Sequence, residues 1–271
     1  MLFRSTAIMN QPLAYVNPQA KSASNVVIEP FVSMDKNVII DEGTWIGSNV
    51  TIMEGARIGK NCKIFPGAVI SAIPQDLKFA GEETIVKIGN NVVIRAFATV
   101  NRGTKASYET VVGDNTLLMA YVHIAHDCVV GNNVIIANAA MLAGHVIVDD
   151  WAIIGGMVPI HQFCHIGTHS IIGGGSGVSK DVPPYTKAAR EPLSYVGVNS
   201  IGLRRRGFST QVINKIQDIY RIIYLKGYNV SQAVEIIEAK VEATPERDEI
   251  LSFIANSSRG IMKGYSRMRD K

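Results

Sequence analysis

The sequence predicts a mainly β chain wound as a solenoid and followed by a helical segment. Three observations carry this: an aliphatic residue at every sixth position, a second column of smaller residues two places earlier, and a switch to helical spacing after Pro184. From Ile28 the six-residue slots run through Met34, Ile40 and Ile46 to Val178, and twenty-three of the twenty-six are aliphatic. The exceptions are Asp76, Glu82 and Ala106. The second column holds residues such as Val50, Ala56, Cys62, Ala98, Cys128, Ala140 and Cys164, and glycine recurs one place after the slot, as at Gly59, Gly113 and Gly131. A period of six matches neither helix nor continuous strand. A short strand of alternating side chains followed by a tight turn does match it, with Gly, Asn and Asp expected to supply unusual backbone angles.

The aliphatic pattern lapses over Ile73–Glu83 and Gly103–Glu109, so two loops are expected to leave the solenoid, and the first is a candidate substrate wall. After Val182-Pro183-Pro184, segments Ser209–Tyr228, Val230–Val241 and Pro245–Ser258 carry helical spacing, as in Ile213, Ile216, Tyr220, Ile223 and Tyr224. Such a segment covers the open end that a repeat protein must cap.

Composition excludes several classes. With 47% apolar and 18% charged residues the chain has material for a large core, yet no stretch has the length and uniformity of a membrane span. The first ten residues show no secretory signal, and the three cysteines, Cys62, Cys128 and Cys164, show no paired spacing. A reducing cytoplasm is the expected location. From Thr186 onward there are 15 Lys+Arg against 9 Asp+Glu, leaving 12 against 14 before it. With no nucleic-acid signature beside the Arg204-Arg205-Arg206 run, a phosphate-bearing substrate or an acidic partner is expected rather than nucleic acid.

The six-residue pattern resembles the hexapeptide-repeat proteins, whose strands coil into a left-handed triangular prism with three hexads per turn. That resemblance implies a left-handed parallel β-helix over residues 14–185, preceded by an extension at 1–13 and followed by a helical domain at 186–271. Each coil then spans about eighteen residues and rises by one strand spacing, about 4.8 Å.

All six histidines lie between His123 and His169. On an eighteen-residue coil His126, His145 and His161 fall within one residue of the same edge, and His123 lies half a hexad before His126. A single histidine there is commonly a satisfied structural group, whereas three in line beside Gly144 suggest a site. Two chemistries fit: a neutral imidazole as general base toward a hydroxyl, or a zinc site. Cys128, in the inward column, is a poorer nucleophile.

The strings HIAHDC from His123, IPQDLKFAG from Ile73, LAGHV from Leu142, HQFC from His161, GGGSGVSKDVPPY from Gly173 and GLRRRGFS from Gly202 closely resemble the UDP-N-acetylglucosamine acyltransferases of lipid A biosynthesis. The resemblance implies transfer of a 3-hydroxyacyl group from acyl carrier protein to the sugar 3-hydroxyl, with no metal and no cofactor; the flat sides of a triangular prism suit closed threefold packing, so a homotrimer is expected. It implies His126 as general base assisted by Asp127, and the Gly144 N–H as oxyanion donor. His123, His145, His161 and Gln162 would line the substrate sites, with Asp76 and Lys78 positioning the sugar, Asn199 and Arg205 contacting donor or phosphates, and Gly174 setting acyl length.

One departure stands out: Ile201 occupies the place where better-known relatives carry glutamate. Two alternatives follow from the same resemblance, a zinc enzyme of the gamma-carbonic-anhydrase type and the sibling N-acyltransferase. The sibling carries an N-terminal uridine-binding domain for which hexads starting near Asn25 leave no room, if the start is Met1 or Met9.

Overall fold

The structure is a computed structural model that describes residues 13–264; the expected N-terminal extension and start residue lie, but for Leu13, outside them. Strands of mostly two residues recur every hexad and are collected into three parallel sheets, the first and second of eight strands and the third of eleven. Consecutive partners in one sheet are eighteen residues apart, as in Tyr15 with Ser33, Lys21 with Ile39 and Val27 with Trp45. This is the left-handed parallel β-helix expected from the hexads, and it begins two hexads before the first aliphatic slot.

Every aliphatic slot from Ile28 to Val178 is buried, and so is the column of smaller residues, with Ala56, Cys62, Ala98, Cys128 and Ala140 fully enclosed. Two inward residues per hexad fill the triangular section, and a fully buried Ile or Val contributes roughly 1.5–3 kcal/mol. Cys62, Cys128 and Cys164 are free and buried. Burial raises the Cys128 thiol to about 12, which excludes it as a nucleophile.

The corners differ from the expectation in one respect. The left-handed backbone angle falls three places after most slots, on Asn37, Asn49, Asn61, Asn91, Asn115 and Asn133, but also on Phe97, Tyr121, Asp127, His145, Trp151, Phe163 and His169. The recurring glycine directly after the slot has no such angle. Its role is close approach: a Cβ on Gly113 would lie 2.6 Å from the Gly131 carbonyl carbon of the next coil.

Both lapses are excursions at the corner between the first and second sheets. Strand Val69–Ala72 pairs with Thr99–Asn101, thirty residues on, and Thr99 pairs with His123, twenty-four on. The chain therefore leaves the prism by twelve and then six residues beyond the eighteen-residue coil.

The C-terminal part is not helical from its start. Thr186–Ala189 and Ser194–Val198 form an antiparallel hairpin that extends the third sheet. Four helices follow: α1 (Ser200–Arg205), α2 (Thr210–Leu225), α3 (Val230–Lys240) and α4 (Pro245–Ala255). The last three match the segments read from spacing. They are capped by Ser209, Asn229 and Thr244, each accepting a backbone N–H of the first turn. Ile213, Ile216, Ile219, Tyr220 and Ile223 of α2 face Ala233, Ile237 and Ile250.

The joint between prism and helices is aromatic. Trp151, His169 and Tyr185 stack on successive coils at 6.1 and 5.8 Å, and Phe208 meets His169 edge-on at 5.1 Å. Arg206 lies over Trp151 and donates to His169 Nδ1 at 3.1 Å, which places the neutral ring's proton on Nε2. Burial, then the Arg206 charge, hold the His169 imidazole down to about 4. The unfolded chain thus binds the extra proton first as pH falls, so stability drops between about 6.5 and 4. Denaturant unfolding across that range is expected to show a loss of up to about 3 kcal/mol, and His169→Phe is expected to remove this part of the slope. An identical slope in the variant contradicts this account of the joint.

Candidate active site

His126 and Asp127 sit on the corner where the second excursion leaves the prism. His126 Nδ1 is 2.7 Å from Asp127 Oδ2, and the Asp127 side chain is wholly buried. Asp127 takes the left-handed angle of the corner, with φ 59°, and its own N–H donates to Thr110 Oγ1 at 2.9 Å. Burial alone raises a carboxyl pKa, but the donors from Ser107, His126 and Thr104 outweigh it and hold Asp127 at about 2. The pair is therefore an anion beside an imidazole whose Nδ1 is the donor, leaving Nε2 as a free acceptor.

The backbone of Gly144 crosses the face of the His126 ring: a Cβ there would meet Cε1 at 2.5 Å and Nε2 at 2.7 Å. Among the described residues no acceptor meets the Gly144 N–H. His145 follows on the same corner, 5.2 Å edge-on to His126 and 3.7 Å from Asp127 Oδ2. Burial lowers its pKa more than Asp127 raises it. On the neighbouring strand His123 Nδ1 lies 2.7 Å from Thr99 Oγ1, and burial together with His126 lowers its pKa.

A cavity of about 190 Å³ opens beside this corner. Asp76 and Lys78 of the first excursion line one side, Thr104 and Lys105 of the second another, and His145, Gln162 and Phe163 complete it. The first excursion is thus a wall of the pocket, and the structure brings Asp76, Lys78, His145 and Gln162 together. Glu82 fastens the two excursions to each other, accepting the Lys105 N–H at 3.0 Å.

His161, Asn199, Arg205 and Gly174 lie away from this pocket. His161 is exposed, and its Nδ1 lies 2.9 Å from the carbonyl oxygen of Gln162; the ring that continues the edge is Phe163, stacked on His145 at 4.6 Å. The eighteen-residue spacing favours position 163 over 161 because both stacked residues lie three places after their slots. Asn199 is buried and caps α1, accepting from the Gly202 N–H and donating to the His169 carbonyl. Its amide is thus engaged inside the protein as a cap. Arg206 is fixed on Trp151, while Arg205 ends α1 exposed. Gly174 is exposed and rests on Gly156, whose carbonyl oxygen would be 3.2 Å from an added Cβ. Ile201 is 64% exposed.

Thr104, Ser107 and Phe163 were missed. The two hydroxyl residues lie in the second lapse, where the six-residue pattern is silent, and their only sequence signal is that a buried aspartate one coil later needs donors.

His126, Asp127 and His145 hold ligand atoms within 4.8 Å of one another, a spacing compatible with a metal ion. Both Asp127 oxygens, however, are already engaged: Oδ1 accepts from Thr104 and Ser107, and Oδ2 from the Thr104 hydroxyl at 2.7 Å and from His126. A metal would have to displace these donors from a group they stabilise. The geometry is that of a hydrogen-bonded acid–base pair.

A prism built from hexads, with a histidine–aspartate pair at a looped corner, defines a hexapeptide-repeat acyltransferase. The comparisons agree: residues 37–72 and 109–144 match the family described as bacterial transferase hexapeptide, and residues 181–262 match the second domain of the UDP N-acetylglucosamine O-acyltransferase family. An acyl-[acyl-carrier-protein]–UDP-N-acetylglucosamine O-acyltransferase of Janthinobacterium is 42% identical over 257 residues, covering 93% of this chain and 98% of the relative. The solved UDP-N-acetylglucosamine acyltransferase of Bacteroides fragilis superposes with a TM-score of 0.93 at 52% identity, over 94% of this chain and all of that one. The Francisella novicida enzyme gives 0.91 at 40%, over 93% of each chain. The chain belongs to the family of acyl-[acyl-carrier-protein]–UDP-N-acetylglucosamine O-acyltransferases.

The Asp127 geometry fixes a pH dependence. A carboxylate depressed by its donors contributes stability above its unfolded pKa and loses it as pH falls through its folded value. Asp127→Asn is therefore expected to be less stable than the parent by about 2 kcal/mol at pH 7, with the gap kept down to about pH 4 and closing toward pH 2. A gap that closes near neutrality contradicts it.

Proposed function

We infer that this chain transfers a 3-hydroxyacyl group from the thioester of acyl carrier protein to the 3-hydroxyl of UDP-N-acetylglucosamine, the first step of lipid A biosynthesis. The observation that carries the mechanism is His126, whose Nδ1 is held by Asp127 while Nε2 is free beside the unpartnered Gly144 N–H. Nε2 removes the hydroxyl proton as the oxygen attacks the thioester carbonyl. The tetrahedral oxyanion is received by the Gly144 N–H. Collapse breaks the carbon–sulfur bond, and the departing sulfur takes the proton back from His126. Asp127 stabilises the imidazolium between these steps. No metal and no cofactor enters this scheme.

The pocket of Asp76, Lys78, His145 and Gln162 suits the sugar, with Lys78 offering a cation to the diphosphate. The glycine floor at exposed Gly174 and half-buried Gly156 leaves a path for a long acyl chain, and the basic region from Thr186 onward suits an acidic carrier protein in the cytoplasm. No helix among the described residues is long and apolar enough to cross a membrane.

The separation of the edges supports a shared site between neighbouring chains, and closed threefold packing of flat-sided prisms gives a homotrimer. His126 lies at the corner of the first and second sheets, whereas α1, which ends in Arg205, is docked on the corner of the second and third through Asn199 and His169. A substrate touching both needs the prisms of two chains side by side. Apolar groups suited to such packing are exposed at Phe97, Tyr121, Met141 and Met157.

Two experiments test this reading. His126→Ala is expected to fold and bind UDP-N-acetylglucosamine but lose about 10²–10⁴ in turnover, measured by product mass with acyl carrier protein thioesters, while chelation leaves the parent unaffected. Retained activity places the base elsewhere; abolition by chelation makes the corner a metal site. Co-expressing His126→Ala with Arg205→Ala chains is expected to restore about a quarter of parental kcat/KM, because random trimers pair an intact His126 with a neighbour's intact Arg205 at that frequency. No restoration, or a monomer with full activity in sedimentation, rules out the shared site.

A further inference from the structure

The six residues by which the second excursion exceeds a coil enclose a single side chain. Asp127 Oδ1 accepts the Thr104 N–H at 2.9 Å, the Ser107 N–H at 3.3 Å and the Ser107 hydroxyl; Oδ2 accepts the Thr104 hydroxyl at 2.7 Å and faces His126. The excursion closes on itself by the Tyr108 N–H to the Thr104 carbonyl at 2.7 Å, and Glu82 holds its outer side through Lys105. Ser107 Oγ also lies 2.9 Å from the Glu109 carbonyl, but its one proton goes to the stronger acceptor, the carboxylate.

A corner of this prism does not need an anion. The equivalent positions on the same edge are Asn37, Gly55, His145 and Phe163, and they share the left-handed angle with no such enclosure. Burying a carboxylate and then satisfying it is at best neutral for stability compared with an apolar group of the same size. What the enclosure does fix is direction: with Oδ1 held by three donors, Oδ2 is turned to the Thr104 hydroxyl and His126 Nδ1, each at 2.7 Å, with His145 Nε2 farther off at 3.7 Å. That contact sets the His126 tautomer and the plane of its ring toward Gly144.

We propose that Thr104 and Ser107 are positioning residues of the transfer reaction, acting through Asp127 to hold His126 Nε2 toward the acceptor hydroxyl. The proposal rests on the general-base reading of His126 and deepens it. It gives the second excursion a function beyond the pocket wall it shares with the first: it orients the base.

The test compares Thr104→Val, Ser107→Ala and the double variant with the conservative Thr104→Ser and Ser107→Thr, and with His126→Ala in parallel. Turnover, KM for UDP-N-acetylglucosamine and calorimetric binding of that sugar nucleotide are measured for each. The double variant is expected to lose about 10–100-fold in kcat with KM and binding within about twofold of the parent, since loss of an orienting partner affects the reacting group more than substrate affinity. The conservative variants are expected to keep most of the turnover. Should the double variant fail to fold, Ser107→Ala, at an exposed position, decides the matter with an expected loss of about tenfold. Parental kcat in a folded Ser107→Ala or double variant overturns the proposal, as does a loss shared equally by KM and kcat that the conservative variants do not repair. If His126→Ala itself stays active, the underlying reading falls with it; if His126→Ala is inactive while the double variant turns over normally, only the positioning role is lost.

Discussion

Backbone pairing between coils, repeated every eighteen residues, is the constraint on which everything else in this molecule depends. Each two-residue strand is too short to be stable alone, and it persists because the strands above and below it in the same sheet hold its N–H and carbonyl groups. The aliphatic columns follow from that pairing, since residues stacked at a fixed period present the same side chain type to the same place on the axis. The corners follow too. A chain that must bend three times per coil with so few residues needs a left-handed angle at each bend, and it obtains one even on Phe97, Tyr121 and Trp151, where the strain is balanced by the stacking of rings on successive coils.

The candidate site uses this rigidity. Asp127 and His145 are corner residues whose backbone conformation is set by the coil and not by the chemistry, so their positions relative to each other are fixed before substrate arrives. What the scaffold alone cannot provide is the environment of the carboxylate. Both excursions emerge at that corner, one making a wall for the substrate and the other enclosing Asp127, and Glu82 ties them together.

Much of this was legible in the residues. The slots from Ile28 to Val178 specify the prism because inward positions tolerate few side chains, and the departures at Asp76, Glu82 and Ala106 mark where the chain leaves it. Helices α2 to α4 were legible for the same reason, a periodic apolar face. The dyad was legible from the resemblance and from its edge position. Other features depend on partners that spacing does not specify. Asn199 reads identically as a ligand contact or as a cap, and its bonds to Gly202 and His169 are visible only in the structure. Three consecutive arginines give no sign that Arg206 lies on Trp151 while Arg205 is exposed. His161 and Phe163 differ by two places in the turn, a distinction finer than a count of eighteen can make.

The pairings across the two excursions, thirty and twenty-four residues apart, differ from a coil by twelve and six. Both are whole multiples of the repeat, so each excursion is a set of hexads unspooled from the prism without changing its phase. Asp76, Glu82 and Ala106 are then the former core positions of those hexads, released from the axis and free to become polar. A site of this design can be enlarged or trimmed one hexad at a time, with every ladder beyond it still in register.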